Sequence, residues 1–85
     1  TLIVVKKDDG GANVMTCSWI KPVSEEPPLI AAAIAKENYT HELLLRHKDF
    51  TVNIPSAGQL NLVWKCGTVS GREVDKVREF GIRLR

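Results

Sequence analysis

The chain has 85 residues, 44% of them hydrophobic, and a formal net charge of +2 from 12 basic and 10 acidic residues. This length allows one domain at most, and a domain of this size buries only about 60–65% of its unfolded surface, so it is marginally stable unless a ligand, a disulfide or a partner is added. The well-mixed charges argue against a nucleic-acid surface, which has a concentrated basic face. No apolar run approaches the roughly 20 residues that span a bilayer.

The two cysteines, Cys17 and Cys66, are too few and too far apart to form a disulfide framework. We expect two reduced, buried thiols and a cytoplasmic protein. The chain starts in an apolar run, without an initiator methionine or the layout of a signal peptide, which suggests that an upstream piece is absent. Asn38-Tyr39-Thr40 matches the glycosylation acceptor pattern, but it carries almost no weight without a secretory context.

The first predicted element is a β-hairpin. Leu2 to Lys6 is a β-branched run that predicts a strand. Asp8 to Gly11 predicts a turn, because Asp-Gly and Gly-Gly adopt positive φ at low cost. A second strand from Val14 to Trp19 completes the hairpin.

The stretch from Asn13 to Leu29 combines a polar strand face with three prolines. Because strand side chains alternate, Thr16 and Ser18 would share one face. A buried strand rarely needs two hydroxyls on one face, whereas a strand that lines a polar ligand does. Pro22 and the Pro27-Pro28 pair exclude a helix, so the second half of the stretch is predicted to be an extended, irregular ribbon.

The segment from Leu29 to Ala35 is ambiguous on its residues alone. Its three consecutive alanines favour a helix. The preceding prolines, the flanking isoleucines and the continuous apolarity suit a strand that is buried on both faces. Both alternatives stay open at this point.

The second half of the chain alternates helix and strand signals. Thr40 to Lys48 predicts a short helix with Leu43, Leu44 and His47 on one side, and Phe50 to Ile54 predicts a strand. Short strands interrupted by short helices favour a mainly antiparallel sheet or barrel with small helices outside.

Two capping-box patterns, Ser56 to Gln59 and Ser70 to Glu73, predict further helices. The first would bury one face, and the second would end at Gly81. Ile82 to Leu84 predicts the start of another strand. The expected inner faces are Leu60, Val63 and Trp64 in the first helix, and Val74, Val77 and Phe80 in the second.

Catalytic and metal-binding patterns are weak. Cys17, His41 and Asp49 form a triad only on paper, because geometry and not sequence defines a triad. His41 and His47 are six residues apart and point in different directions on a helix, unlike a metal-binding pair four apart. We therefore assign no catalytic residue and no metal site.

Anion binding has better support, because two predicted helix starts lie next to hydroxyls and cations. Lys36 precedes Thr40 at one start, and Ser70 with Arg72 precedes Lys76 at the other. Helix N-termini offer free N–H groups and a favourable dipole for phosphate. The alternative, an ordinary cap with ordinary surface cations, stays open.

Five segments in order resemble the flavin reductase-like proteins, specifically the flavoredoxin-type members of the FMN-binding split-barrel group. Together they cover nearly the whole chain from Asn13 to Gly81. They are Asn13-Val-Met-Thr-Cys-Ser-Trp19, Pro22-Val-Ser with Pro27-Pro28-Leu29, Tyr39-Thr40-His41, Phe50-Thr-Val-Asn53-Ile-Pro55, and Cys66-Gly67-Thr-Val-Ser70-Gly71-Arg72-Glu-Val-Asp75-Lys76.

The resemblance implies an antiparallel, Greek-key split β-barrel with short peripheral helices, usually assembled as a homodimer. It makes Leu29 to Ala35 a strand. Residues 1–85 would form a single flavin reductase-like domain. Because family domains continue with further strands, we expect this chain to hold an incomplete barrel that is truncated at both ends.

The resemblance also implies bound FMN in an oxidoreductase that passes a hydride from a reduced nicotinamide to flavin, and then to free flavin or a small acceptor. The alternatives are an electron carrier without reductase turnover and a truncated domain without cofactor. Lys36 and Thr40 would hold the phosphate. The full set of matched cofactor-binding residues is Asn13, Thr16, Cys17, Ser18, Trp19, Lys36, Thr40, Asn53, Ser70, Gly71 and Lys76.

Overall fold

The computed structural model describes residues 1–83. Most of its helices and strands lie close to the predicted ones. Ile82 and Arg83 form no strand, and Leu84, the end of the last predicted strand, lies outside the described residues. In chain order they are β1 (Leu2–Lys6), β2 (Ala12–Thr16), β3 (Ile20–Glu25), β4 (Pro28–Ala32), α1 (Tyr39–His47), β5 (Phe50–Asn53), a 3₁₀ turn (Ala57–Gln59), α2 (Leu60–Thr68) and α3 (Lys76–Glu79).

A three-stranded antiparallel sheet, in the order β2-β1-β5, forms the centre of the fold. Val4 of β1 lies opposite Val14 of β2 and Thr51 of β5. The predicted hairpin is confirmed, but its second strand ends at Thr16 rather than Trp19. Residues 17–19 instead lead into β3.

Helices cover both faces of this sheet. Leu2 and Val14 point to one face and form a buried cluster with Cys66 of α2, and α3 packs on the same cluster. Ile3 and Val5 point to the opposite face, where α1 contacts β1 and β2 and Leu43 of α1 is fully buried. Burial of side chains of this size contributes about 1.5–3 kcal/mol each, so the helices are held mainly by this packing.

β3 and β4 form a separate two-stranded antiparallel ribbon with an irregularity between Pro22 and Ser24. The strand predicted by the resemblance is thus confirmed as Pro28–Ala32. The expected burial on both faces is wrong for the described structure, since Leu29 and Ile30 are 52% and 51% exposed. No described layer covers the ribbon, and this is why its apolar side chains lie in solvent.

α2 buries only part of the face that the sequence predicted. Leu60 and Trp64 are 71% and 72% exposed. Val63 packs against the buried cluster as predicted, together with Leu62, and Cys66 is part of that cluster. The sequence could not separate these faces, because the helix carries apolar residues on both sides.

α3 begins later than the second capping box predicted. Its N-cap is Asp75, whose carboxylate accepts a hydrogen bond from the backbone N–H of Arg78. The Ser70 hydroxyl instead accepts from the backbone N–H of Arg72 at 3.1 Å, which stabilises a turn. The predicted stop is confirmed: Gly81 has a φ of +62°.

All strand pairs in residues 1–83 are antiparallel, so the fold is mainly antiparallel sheet with short helices, as predicted. The closed Greek-key barrel stays a prediction. No helix in this part of the chain is long and apolar enough to cross a membrane.

Candidate functional site

A polar cavity of about 310 Å³ lies where β2, the start of α1 and the segment after α2 meet. Its volume is at the lower end of the range of roughly 300–1,000 Å³ that is usual for small-molecule sites. β2 contributes one wall and the N-terminus of α1 another. The polar residues that line it are Asn13, Thr16, Glu37, Asn38, Tyr39, Thr40, Thr68, Ser70 and Lys76.

A buried hydrogen bond joins two of these walls. Asn13 Nδ2 donates to Thr40 Oγ1 at 3.0 Å, and both residues are buried. A buried amide left without a partner costs about 1–3 kcal/mol, so this bond fixes the orientation of both side chains. The N–H groups of Tyr39 and Thr40 at the start of α1 have no backbone acceptor in the helix, whereas that of His41 donates to Asn38 O at 3.1 Å. The positive end of the helix dipole lies at the same place.

Two glycines, Gly67 and Gly71, allow the backbone to lie close to the side chains of β2. A Cβ atom added at Gly71 would overlap Asn13 Oδ1 and would lie 3.0 Å from Tyr39 Cδ2. A Cβ atom at Gly67 would lie 3.3 Å from Thr16 Cβ. The Thr16 hydroxyl donates to the backbone carbonyl of Val63 and so fixes β2 against α2.

Lys76 is the buried charge of the site. It is 4% exposed, and its Nζ donates to the backbone carbonyls of Val14 at 2.8 Å and Cys66 at 2.9 Å. These bonds tie β2 and α2 together through the first residue of α3. Burial, which disfavours the ammonium form, lowers the pKa of Lys76, with a smaller opposing effect from Cys66.

The two cysteines are free and buried, as predicted. Burial raises the pKa of the Cys66 thiol, which keeps it protonated at neutral pH, so it is not a nucleophile there. Cys17 Sγ contacts the carbonyl oxygen of Trp19 at 3.7 Å. No group of three His, Cys, Asp or Glu residues in the range 1–83 is arranged to hold a metal ion.

The structure brings together part of the cofactor site implied by the resemblance. The predicted residues that line the cavity are Asn13, Thr16, Thr40, Ser70, Gly71 and Lys76. Contact of these residues with a cofactor stays a prediction.

The other predicted residues lie elsewhere. Cys17 is buried beyond the end of β2, whereas Ser18 and Trp19 are exposed between β2 and β3. Lys36 is exposed ahead of α1. Asn53 ends β5 and donates to Leu2 O at 3.4 Å and Thr51 Oγ1 at 3.1 Å. Their roles in cofactor binding also stay predictions.

Tyr39 and Gly67 also line the cavity, although no residue pattern predicted them as part of the site. The guanidinium of Arg72 lies 5.2 Å from the centre of the Tyr39 ring, and its Nη1 donates to Glu37 O at 3.1 Å. Of the residues in these contacts, Tyr39 and Glu37 line the cavity. Gly67 was detectable in principle, because a glycine inside a helix is unfavourable and often marks a close approach.

The sequence matches the flavin reductase like domain over residues 1–85, so the chain belongs to this family. This confirms the resemblance read from its five segments. The antiparallel sheets, the short helices and the polar cavity are therefore parts of a flavin reductase-like domain.

Solved structures of the family superimpose closely on the chain. Flavoredoxin of Desulfovibrio vulgaris (Miyazaki F) is 29% identical with a TM-score of 0.89, over 94% of this chain and 44% of that one. An FMN-binding protein from Thermus thermophilus, solved with bound 1-cyclohex-2-enone, is 34% identical with a TM-score of 0.85, over 91% and 43%.

The chain is also similar to an uncharacterized protein of Archaeoglobus fulgidus. It is 39% identical over 72 residues, which are 85% of this chain and 41% of the relative. The chain spans less than half of the length of each of the first curated relatives that it matches.

Proposed function

We propose that this chain is the cofactor-binding part of an FMN-dependent oxidoreductase. The observation that carries the proposal is the polar cavity, in which the Asn13–Thr40 pair, the close approach at Gly71 and the buried Lys76 meet the N-terminus of α1. The flavin reductase-like family of the chain and its similarity to the FMN-binding protein from Thermus thermophilus support FMN as the occupant.

The chemistry of the lining fits a phosphorylated, polyhydroxylated cofactor. The hydroxyls of Thr40 and Ser70 and the free N–H groups of α1 suit a phosphate or ribityl group. Lys76 adds positive charge within the cavity, and Lys36 adds it nearby. FMN, when bound, supplies the hydride and electron transfer, and the protein binds and orients it. We propose a reduced nicotinamide as the hydride donor and free flavin or a small molecule as the acceptor.

We further propose that the two sheets belong to a split barrel that is closed by additional strands, in a homodimeric protein. The chain exposes 6400 Å², whereas the scaling for folded monomers gives about 5,000 Å² at 9.4 kDa. A wide groove of about 700 Å³, lined by Val4, Phe50, Leu62 and Ile82 among others, lies on the uncovered part of the sheet. The two free thiols support a cytoplasmic location.

A second candidate is a flavin-binding electron carrier without reductase turnover. The same cavity supports it, because electron transfer needs only a bound and oriented flavin. Burial keeps the Cys66 thiol protonated at neutral pH, and the ammonium of Lys76 already donates to two carbonyls. We assign neither group a role in proton transfer, and an electron carrier needs none.

Spectroscopy of the purified full-length protein tests both candidates. An absorbance spectrum and a titration with FMN should show a bound flavin, and rapid mixing with NADH or NADPH should bleach it. A flavin that binds but stays oxidised supports the carrier. A protein that takes up no FMN would falsify both candidates and would favour a domain without cofactor.

A further inference from the structure

We propose that Lys76 provides an uncompensated positive charge that makes the cavity bind the reduced flavin more tightly than the oxidised flavin. This inference rests on the FMN function proposed above and deepens it. It assigns to Lys76 a role in setting the reduction potential, as distinct from a role in holding the phosphate.

Two of the three N–H groups of the Lys76 ammonium have acceptors among the described residues. Its side chain is buried, it lines the cavity, and two hydrogen bonds from Nζ reach the neutral carbonyl oxygens of Val14 and Cys66. An ammonium group has three N–H donors. One donor is therefore left for a ligand.

The charge of Lys76 has no described counter-ion. None of the salt bridges formed within residues 1–83 involves Lys76. The adjacent carboxylate of Asp75 accepts from the backbone N–H of Arg78, and Glu37, which also lines the cavity, is exposed. A buried ion without a counter-ion is costly, and such groups occur preferentially at functional sites.

The chemistry of flavin reduction explains why this charge matters. An oxidised, neutral flavin ring that accepts a hydride gains two electrons and one proton and becomes a monoanion, while the nicotinamide donor becomes an oxidised cation. A positive charge in a cavity of low dielectric stabilises the added negative charge. Lys76 should therefore favour the reduced flavin, whereas a counter-charge to the phosphate would favour both forms equally.

The test compares Lys76→Met, Lys76→Arg and Lys65→Met in the FMN-loaded, full-length protein. Lys65 is a matched control, because it is an exposed cation on α2 whose Nζ lies over the Phe80 ring, outside the cavity. The midpoint potential is measured by equilibration with a redox dye, and FMN dissociation constants are measured for both forms. Circular dichroism establishes that each variant is folded.

In Lys76→Met we expect the preference for reduced over oxidised FMN to fall at least tenfold, which lowers the two-electron potential by about 30 mV. Lys76→Arg and Lys65→Met should keep the potential of the parent protein. An equal loss of affinity for both forms of the flavin in Lys76→Met would overturn the proposal and assign the charge to the phosphate. An unchanged potential would overturn it too.

The parent protein gives a second test that does not depend on any variant being folded. Its bound FMN should have a higher midpoint potential than free FMN. A lower or equal potential overturns the role of Lys76, while FMN binding itself still stands. Failure to bind FMN at all overturns the proposed function first, and this inference with it.

Discussion

The backbone at Gly71 lies so close to Asn13 that a methyl group on Gly71 would displace the Asn13 side chain. We expect Gly71→Ala to push the Asn13 amide out of its bond with Thr40 and to weaken FMN binding at least tenfold, or about 1.4 kcal/mol. Fluorescence titration with FMN measures the effect. Gly58→Ala is the matched control, because the nearest atom to its Cβ, Ser56 Oγ, is 3.8 Å away. Equal affinities in the two variants would place Gly71 outside the FMN site.

The burial of Lys76 should make stability depend on pH. An unfolded lysine keeps its proton up to about pH 10.4, whereas burial lowers the pKa of Lys76 in the folded protein. Between the lowered pKa of the folded protein and the ordinary lysine value, the unfolded chain therefore binds more protons, and the contribution of this residue to the free energy of unfolding increases as pH rises.

Urea denaturation of the FMN-free protein and of Lys76→Met between pH 7 and pH 10 measures this contribution. The free energy of unfolding of the parent, minus that of the variant, should become more positive with pH. The comparison is needed because the raised pKa of Cys66 adds an opposite slope, above its ordinary pKa of 9.0, to both proteins. A difference that stays flat, or that falls with pH, would contradict the assignment.

Residue chemistry in the sequence predicted part of this site. Thr16 was expected to line a polar ligand, and it lines the cavity, but its hydroxyl donates to Val63 O. Ser18, expected on the same strand face, lies beyond the end of β2 because the strand stops at Thr16. The burial of Lys76 depends on contacts with β2 and α2, which are distant in sequence, so no local pattern could reveal it.

Among the elements, α3 shows how a local pattern can fail. Ser70 and Glu73 fit a capping box, yet Asp75 is the N-cap. Sequence spacing identifies residues that are able to cap a helix, but it does not decide which of them the backbone places at the helix start. The strand and helix segments bounded by glycine, proline or a β-branched run were predicted to within a few residues, because these signals act on the backbone directly.

The N-cap assignment can be tested by stability. Asp75→Ala should cost about 1 kcal/mol, because it removes the acceptor for the N–H of Arg78, whereas Asp75→Asn keeps an acceptor and should cost little. Ser70→Ala should also cost less, since its bond to Arg72 N is exposed. Chemical denaturation measures all three variants. A larger loss of unfolding free energy in Ser70→Ala than in Asp75→Ala would contradict Asp75 as the N-cap and support the capping box at Ser70.

At the scale of the whole molecule, the resemblance to a known family predicted more than the patterns of apolar residues did. Those patterns left Leu29 to Ala35 undecided between helix and strand, and the family pattern resolved it correctly. The apolar patterns also placed Leu60 and Trp64 in the core, whereas both side chains are exposed in the structure. An apolar residue signals that some surface will cover it, but it does not say which chain supplies that surface.

The exposed apolar surface predicts that the 85-residue chain associates in solution. Trp19 and Trp64 are 78% and 72% exposed, and Val23 and Ile30 of the β3–β4 ribbon are about half exposed. A two-stranded ribbon without a covering layer is marginally stable, so its burial against other protein is favoured.

Sedimentation velocity over a range of concentrations should show this association, and tryptophan emission should shift to shorter wavelength as it proceeds. Ile30→Lys should weaken the association, because it places a charge on the exposed apolar ribbon. Glu25→Lys changes charge on the same ribbon, at an exposed polar position, and should leave the apolar contacts intact. The parent chain could instead stay monomeric and keep the emission of solvent-exposed tryptophan at every concentration. That result would show that the exposed apolar surface does not drive association, and this surface would no longer support a homodimer.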